Sequence, residues 1–165
     1  MVPSLQTWVQ NIASTIKPGR VLEIGSKNIN GTVRQYFDNA KEYIGIDMDE
    51  GDNVDVVLDA HDLTPYFKTA SFDTVICLET LEHDLLFWLT LEQIDKVLKP
   101  GGNLFISTPT FGFPYHAYPI HPYLFSKDAF NLLFFKNCDS PSITELFDTA
   151  GNKILAGYGI KNAKM

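Results

Sequence analysis

Basic residues are scarce in this sequence: thirteen Lys and Arg stand against twenty Asp and Glu, a formal charge of −7 at pH 7. That balance opposes the long-range attraction that phosphate backbones exert, so a nucleic-acid partner is disfavoured. The deficit is also local, because no Lys or Arg falls between Lys41 and Lys68. Cysteine is sparse as well. Cys77, in an apolar strand, and Cys138, in a loop, lack metal-binding spacing and read as separate thiols. No apolar run is long enough to span a bilayer, and Met1-Val2-Pro3 is no basic-then-apolar leader. A cytoplasmic protein without a membrane partner is therefore expected. Internal repeats and low-complexity stretches are missing too. The 165 residues, 45% of them hydrophobic, suit a single domain over 1–165, one that buries roughly 70% of its unfolded surface.

What the chain does have is concentrated in 20–31, RVLEIGSKNING. An apolar run carries a carboxylate at Glu23, stops at Gly25, and gives way to small and polar residues. This reads as a buried strand, a tight turn and a helix start, the geometry in which open α/β sheets bind nucleotides. A glycine turn on a helix N-terminus suits a pyrophosphate, whereas the acid at Glu23 repels one. It favours a nucleotide with a cationic end, such as the sulfonium and ammonium of S-adenosylmethionine. Two further strand ends carry acids. Asp47 closes a run about twenty residues beyond Gly25, where an acid can accept from a ribose diol. Asp59 follows the apolar run 54–58, placed to accept from an adenine amine.

With these residues in view, the chain resembles a class I S-adenosylmethionine-dependent methyltransferase of the type 11 kind. The resemblance rests on VLEIGSKNINGTVRQYF, YIGIDMDEGDNVDVVLDAHDL, SFDTVICLETLEHD and VLKPGGNLFISTP, in family order from Val21 to Pro109. It implies S-adenosyl-L-methionine as cofactor, held by Glu23, Gly25, Ser26, Asp47, Met48, Asp59, Ala60 and Leu78. The glycine spacing departs from the commoner pattern, which would place Gly at Lys27 and Ile29. It also implies a Rossmann-like α/β fold, a mostly parallel sheet with helices on both faces and a C-terminal antiparallel hairpin.

Periodicity is compatible with that fold. Strands are predicted at 21–25, 43–47, 54–58, 74–78 and 103–107. Helices are predicted at 4–16 with Ser4 as cap, at 32–37, around 63–67, at 85–98 and at 127–135. The KPGG run at 99–102 should stop the fourth of these helices. Apolar runs at 143–147 and 153–159 suit a hairpin, and Trp8 and Trp88 read as core.

The chemistry should lie at the C-terminal edge of the sheet. Two segments arrive there, LETLEHD at 78–84 and the long aromatic segment 109–125, rich in Pro and His. Transfer from a sulfonium needs alignment in a dry site, and a base only where the nucleophile arrives protonated. His83, His116 and His121 are the catalytic candidates, each weighed against a packing role. Tyr115, Tyr118 and Tyr123 line an acceptor pocket or cover the sheet edge, and His61 reads as a loop residue. The histidines reproduce no zinc or iron spacing, so the sequence assigns no metal. The leading reading is methyl transfer to a small-molecule acceptor. The alternative is a non-catalytic S-adenosylmethionine-binding module, either a sensor or an inactive subunit that stabilises a partner; a homodimer or a partner protein is compatible with both readings. An NAD-dependent reductase is disfavoured by Glu23 and by the missing G-x-G-x-x-G.

Overall fold

The computed structural model describes residues 1–116 and 120–163. Helix α1 (Pro3–Ala13) precedes β1 (Arg20–Ile24), β2 (Glu42–Asp47), β3 (Val56–Val57), the single-turn helix α2 (Leu63–Tyr66) and β4 (Phe72–Leu78). Helix α3 (Phe87–Val97) runs directly into β5 (Leu98–Pro109). The short α4 (Lys127–Ala129) and a hairpin of β6 (Cys138–Phe147) and β7 (Lys153–Lys161) follow. The seven strands form one sheet in the order β3-β2-β1-β4-β5-β7-β6. Strands β1 to β5 pair in parallel, and β7 joins antiparallel to both β5 and β6. The order reverses between β1 and β4, so a crevice opens where their C-terminal ends meet.

Alternation along the strands decides what each face buries. Leu22, Ile24, Val75, Cys77, Leu104 and Ile106 face one layer with Leu63, Phe72 and Ile94. Val21, Ile76, Leu78 and Phe105 face the other, against Leu5 and Val9 of α1 and Phe37. Phe105 is wholly buried, a burial that contributes about 1.5–3 kcal/mol. Glu23 shares the parity of Val21, so its carboxylate lies within the α1-side layer rather than in solvent. That register places an acid inside the protein.

Several local expectations are corrected. Pro3 takes the first helical turn and Val2 is the cap of α1, so Ser4 caps nothing; its hydroxyl donates instead to the Phe147 carbonyl (2.7 Å). The segment 32–37 is only a 3-10 turn at Arg34–Phe37, as β-branched residues beside Gly31 make a poor helix. Helix α3 does end just before KPGG, at Val97, but the run belongs to β5, where it forms the irregularity between the Phe72–Leu98 and Thr74–Asn103 pairs. Beyond α4 the chain winds as a π-helix over Phe130–Phe134. Cys138 begins β6 rather than lying in a loop, and both cysteines are free thiols. Trp8 packs edge-on to Phe105, but Trp88 is 46% exposed and is not core. No helix among the described residues is long and apolar enough to cross a membrane.

Candidate functional site

The turn after β1 is built around Gly25, whose φ is +70°. A Cβ there would stand 2.2 Å from Thr80 Oγ1. Glycine is required on both counts, conformation and space. The neighbouring Ser26 N–H donates to the Ile46 carbonyl (2.9 Å), which ties the turn to β2. Its hydroxyl oxygen is buried and has no partner among the described residues.

Below the turn, the Tyr43 hydroxyl donates to Glu23 Oε2 (2.7 Å), as does Asn53 Nδ2 (2.9 Å). Asn53 also donates to the Ser26 carbonyl (2.9 Å). Burial pushes the Glu23 carboxyl up to about 7, against the pull of those two hydrogen bonds. Arg34 reaches over the Tyr43 ring and pairs with Asp55 (2.9 Å), so the loop joining β2 to β3 is fastened from behind. Asp47, at the end of β2, accepts from the N–H groups of Lys27 and Asp49, both at 3.2 Å. Met48 beside it is 71% exposed.

Asp59 accepts from the His61 N–H (2.9 Å) and caps the turn that begins at Ala60. His61 is more than a loop residue. Its imidazole lies between Asp59 (3.3 Å) and Asp84 (3.0 Å), joining the segment after β3 to the segment after β4. Asp84 also accepts from Thr90 Oγ1 (2.6 Å) and the Leu86 N–H (2.8 Å) just ahead of α3. Leu78, the last residue of β4, is buried against the α1 layer.

The second half of the edge is carboxylates and histidines. Glu79 adopts φ +52°, a conformation that costs a non-glycine residue about 1–3 kcal/mol. Its N–H donates to the Ser107 carbonyl (2.9 Å), and the Ser107 hydroxyl donates to Glu79 Oε1 (3.1 Å). Burial raises the Glu79 carboxyl to about 7. Glu82 is completely buried, and neither of its carboxylate oxygens has a partner among the described residues. Burial, then the neighbouring Glu79 charge, pushes its carboxyl well above the usual range. The chain brings His83, His116 and His121 together here. Ring centroids are 5.1 Å apart for His83 and His116, 5.9 Å for His83 and His121, and 4.2 Å for His116 and His121. Burial and the mutual proximity of these rings hold His116 and His121 below the ordinary histidine range.

The aromatic segment therefore divides in two. Tyr123 donates to the Leu85 carbonyl (3.0 Å) and, with Phe125, packs on Phe87, sealing the core beneath α3. Tyr115 is 71% exposed and lies beside His121. Tyr118 and Pro119 fall outside the described residues.

Raised carboxyls make a prediction about stability. Glu23, Glu79 and Glu82 all hold protons more tightly when folded than the ordinary value of 4.5. The folded state then binds more protons than the unfolded chain above that value, so stability falls as pH rises toward 7 and beyond. His116 and His121, lowered in the fold, pull the opposite way, but their shifts are smaller. Urea unfolding of the ligand-free protein should give a lower free energy at pH 8 than at pH 5. Glu23→Gln should remove about 2–3 kcal/mol of that difference. A profile that is flat or rises over this interval contradicts the account.

Sequence reasoning left out Asn53, Glu79, His61 and Glu82 as site residues. The two glutamates carried a signal in LETLEH, acids three apart directly after a strand. Asn53 carried none.

A family model described as a methyltransferase domain matches residues 2–155. No curated protein matches the chain. Among solved structures, a Burkholderia thailandensis 1,6-didemethyltoxoflavin-N1-methyltransferase with bound 1,6-didemethyltoxoflavin and S-adenosylhomocysteine is 20% identical, with a TM-score of 0.73. The match covers 95% of this chain and 78% of that one. The N-methyltransferase NodS of Bradyrhizobium japonicum WM9, in complex with S-adenosylhomocysteine, is 15% identical at a TM-score of 0.71, covering 95% and 85%. A Haloferax volcanii complex of the Trm112 methyltransferase activator with a methyltransferase is similar at 16% identity and a TM-score of 0.70, covering 97% and 91%.

Proposed function

The chain belongs to the methyltransferase-domain family, and from that premise we propose that it is an enzyme transferring a methyl group from S-adenosyl-L-methionine to a small-molecule acceptor. The observation that carries this reading is the edge formed by β3, β2, β1 and β4. It combines a positive-φ glycine turn, an unpartnered buried serine hydroxyl and acids at three successive strand ends. This donor set fits a nucleoside with a cationic end. When bound, S-adenosyl-L-methionine supplies a methyl group already activated on a sulfonium.

The residues proposed to hold it are Glu23, Gly25, Ser26, Asp47, Met48, Asp59, Ala60 and Leu78. Glu23 lies buried on the α1 side of the sheet, and a cation beside it would draw its raised carboxyl into the charged form. Asp47 would accept from the ribose diol, oriented by the N–H groups of Lys27 and Asp49. Asp59 and Ala60 would meet the adenine, their turn held by His61. The acceptor is received at the other half of the edge, by His83, His116 and His121. His83 Nδ1 donates to the Ile120 carbonyl, so in the neutral imidazole the lone pair is on Nε2. His116 and His121, kept below the ordinary range, are unprotonated at neutral pH and can receive a proton from an incoming hydroxyl or amine.

Removing the Asp47 carboxylate should cost about 1.5–3 kcal/mol of donor binding, roughly a 10- to 150-fold loss of affinity. Calorimetric titration of Asp47→Ala checks this. Unchanged affinity in a folded variant would refute the ribose assignment. The reaction itself is tested by incubating protein, S-adenosylmethionine and panels of hydroxyl-, amine- and carbon-nucleophile acceptors, and following S-adenosylhomocysteine release. Turnover with an acceptor class supports methyl transfer. Donor binding with no release across all classes would contradict it.

A further inference from the structure

We infer that Glu82, His83 and His116 form a binding site for a divalent first-row transition-metal ion with one coordination position left open. One potential ligand atom from each residue lies within 4.8 Å of the other two. Four-coordinate zinc, with bonds of about 2.0–2.1 Å, sets its ligand atoms about 3.3 Å apart. His83 Nε2 and Glu82 Oε1 are already 3.7 Å apart. The remaining separations, up to 4.8 Å, must close by no more than about 1.5 Å for coordination.

The state of these atoms is the second, independent observation. Both oxygens of Glu82 and Nδ1 of His116 are buried without a hydrogen-bond partner among the described residues, while Glu82 itself is 0% exposed. Buried polar atoms ordinarily find partners, and here three unpartnered atoms belong to two of the three clustered residues. His83 is also prepared as a ligand. Its Nδ1 donates to the Ile120 carbonyl, the kind of outer contact that fixes the tautomer and orientation of a metal-bound imidazole. Two imidazoles and one carboxylate are a set that zinc and ferrous iron both accept, with positions left over for water or substrate. His121 stands beside this set, its Nδ1 accepting from the His116 N–H (3.4 Å); with an ion bound, His116 is a ligand and no longer the proton acceptor it can be in the metal-free protein.

The place of the cluster in the fold gives the ion a use. The His83 N–H donates to the Thr80 carbonyl (3.0 Å), and Thr80 is the residue pressed against Gly25. The site thus adjoins the turn proposed to hold the methyl donor, and its open position suits an oxygen or nitrogen of the acceptor. That use rests on the proposed function; the metal site does not.

The test uses chelator-stripped, untagged full-length protein titrated with Co2+ and then Zn2+. One Co2+ per chain should bind with visible d–d absorption, Zn2+ should displace it, and the melting temperature should rise with Zn2+ concentration. Glu82→Gln and His116→Ala should each weaken Zn2+ binding by about tenfold or more. Asp52→Asn, in the exposed acidic loop, should bind like the unaltered protein. The inference is overturned if the unaltered protein binds no Co2+ at micromolar concentration. It is equally overturned if Glu82→Gln and His116→Ala, folded by melting temperature, bind as well as it does. A parallel S-adenosylmethionine titration separates the two readings. Metal binding without donor binding supports the site and contradicts the proposed function, whereas donor binding without metal binding overturns the site alone.

Discussion

Gly25→Val should abolish S-adenosylmethionine binding and also destabilise the ligand-free protein by about 2–4 kcal/mol. Two effects combine at this position. Valine resists φ +70°, and its Cβ would fall 2.2 Å from Thr80 Oγ1. Thr80 cannot simply retreat, because its hydroxyl donates to the Leu78 carbonyl (3.0 Å) and its chain leads into Glu82 and His83. The turn would therefore move away from β4, and Ser26 and Asp47 would lose their relation to each other. Urea unfolding and calorimetry of the same sample check both parts. A variant that is destabilised yet binds normally would place the donor elsewhere, and one that loses only binding would remove the packing argument.

His116→Ala is expected to slow turnover by about a hundredfold while changing donor affinity by no more than about twofold. The imidazole lies with His83 and His121 on the β4–β5 side of the edge, away from Asp47 and the acids of β2 and β3. Its loss should thus act on the acceptor and leave the donor in place. Turnover per folded molecule against donor Kd separates this role from packing. If stability falls and turnover does not, the segment is a core seal throughout, as it already is at Tyr123 and Phe125.

The parts that were readable in the sequence are those set by local rules. A strand, a glycine and an acid in RVLEIG dictate a turn, and alternation in FDTVICL and NLFISTP dictates two buried faces. What could not be read depends on distant residues meeting. Nothing local to Asn53 signals that it will grip Glu23 and Ser26 from the far side of β2. His116 and His83 are more than thirty positions apart, so their spacing showed no metal pattern, yet sheet and loop bring them together. The helix at 32–37 was overestimated because apolar periodicity there reports burial of Val33 and Phe37 against α1. A single 3-10 turn satisfies that burial as well as a helix does. Trp88 was misjudged for the opposite reason: a helix face can be apolar and still look outward.

The most direct test of the central claim is a calorimetric titration of the unaltered protein with S-adenosylmethionine and, separately, with NAD. A carboxylate buried beneath the glycine turn and acids at three strand ends predict stoichiometric binding of S-adenosylmethionine and none of NAD. Binding of NAD, or saturation by neither compound, would contradict the account.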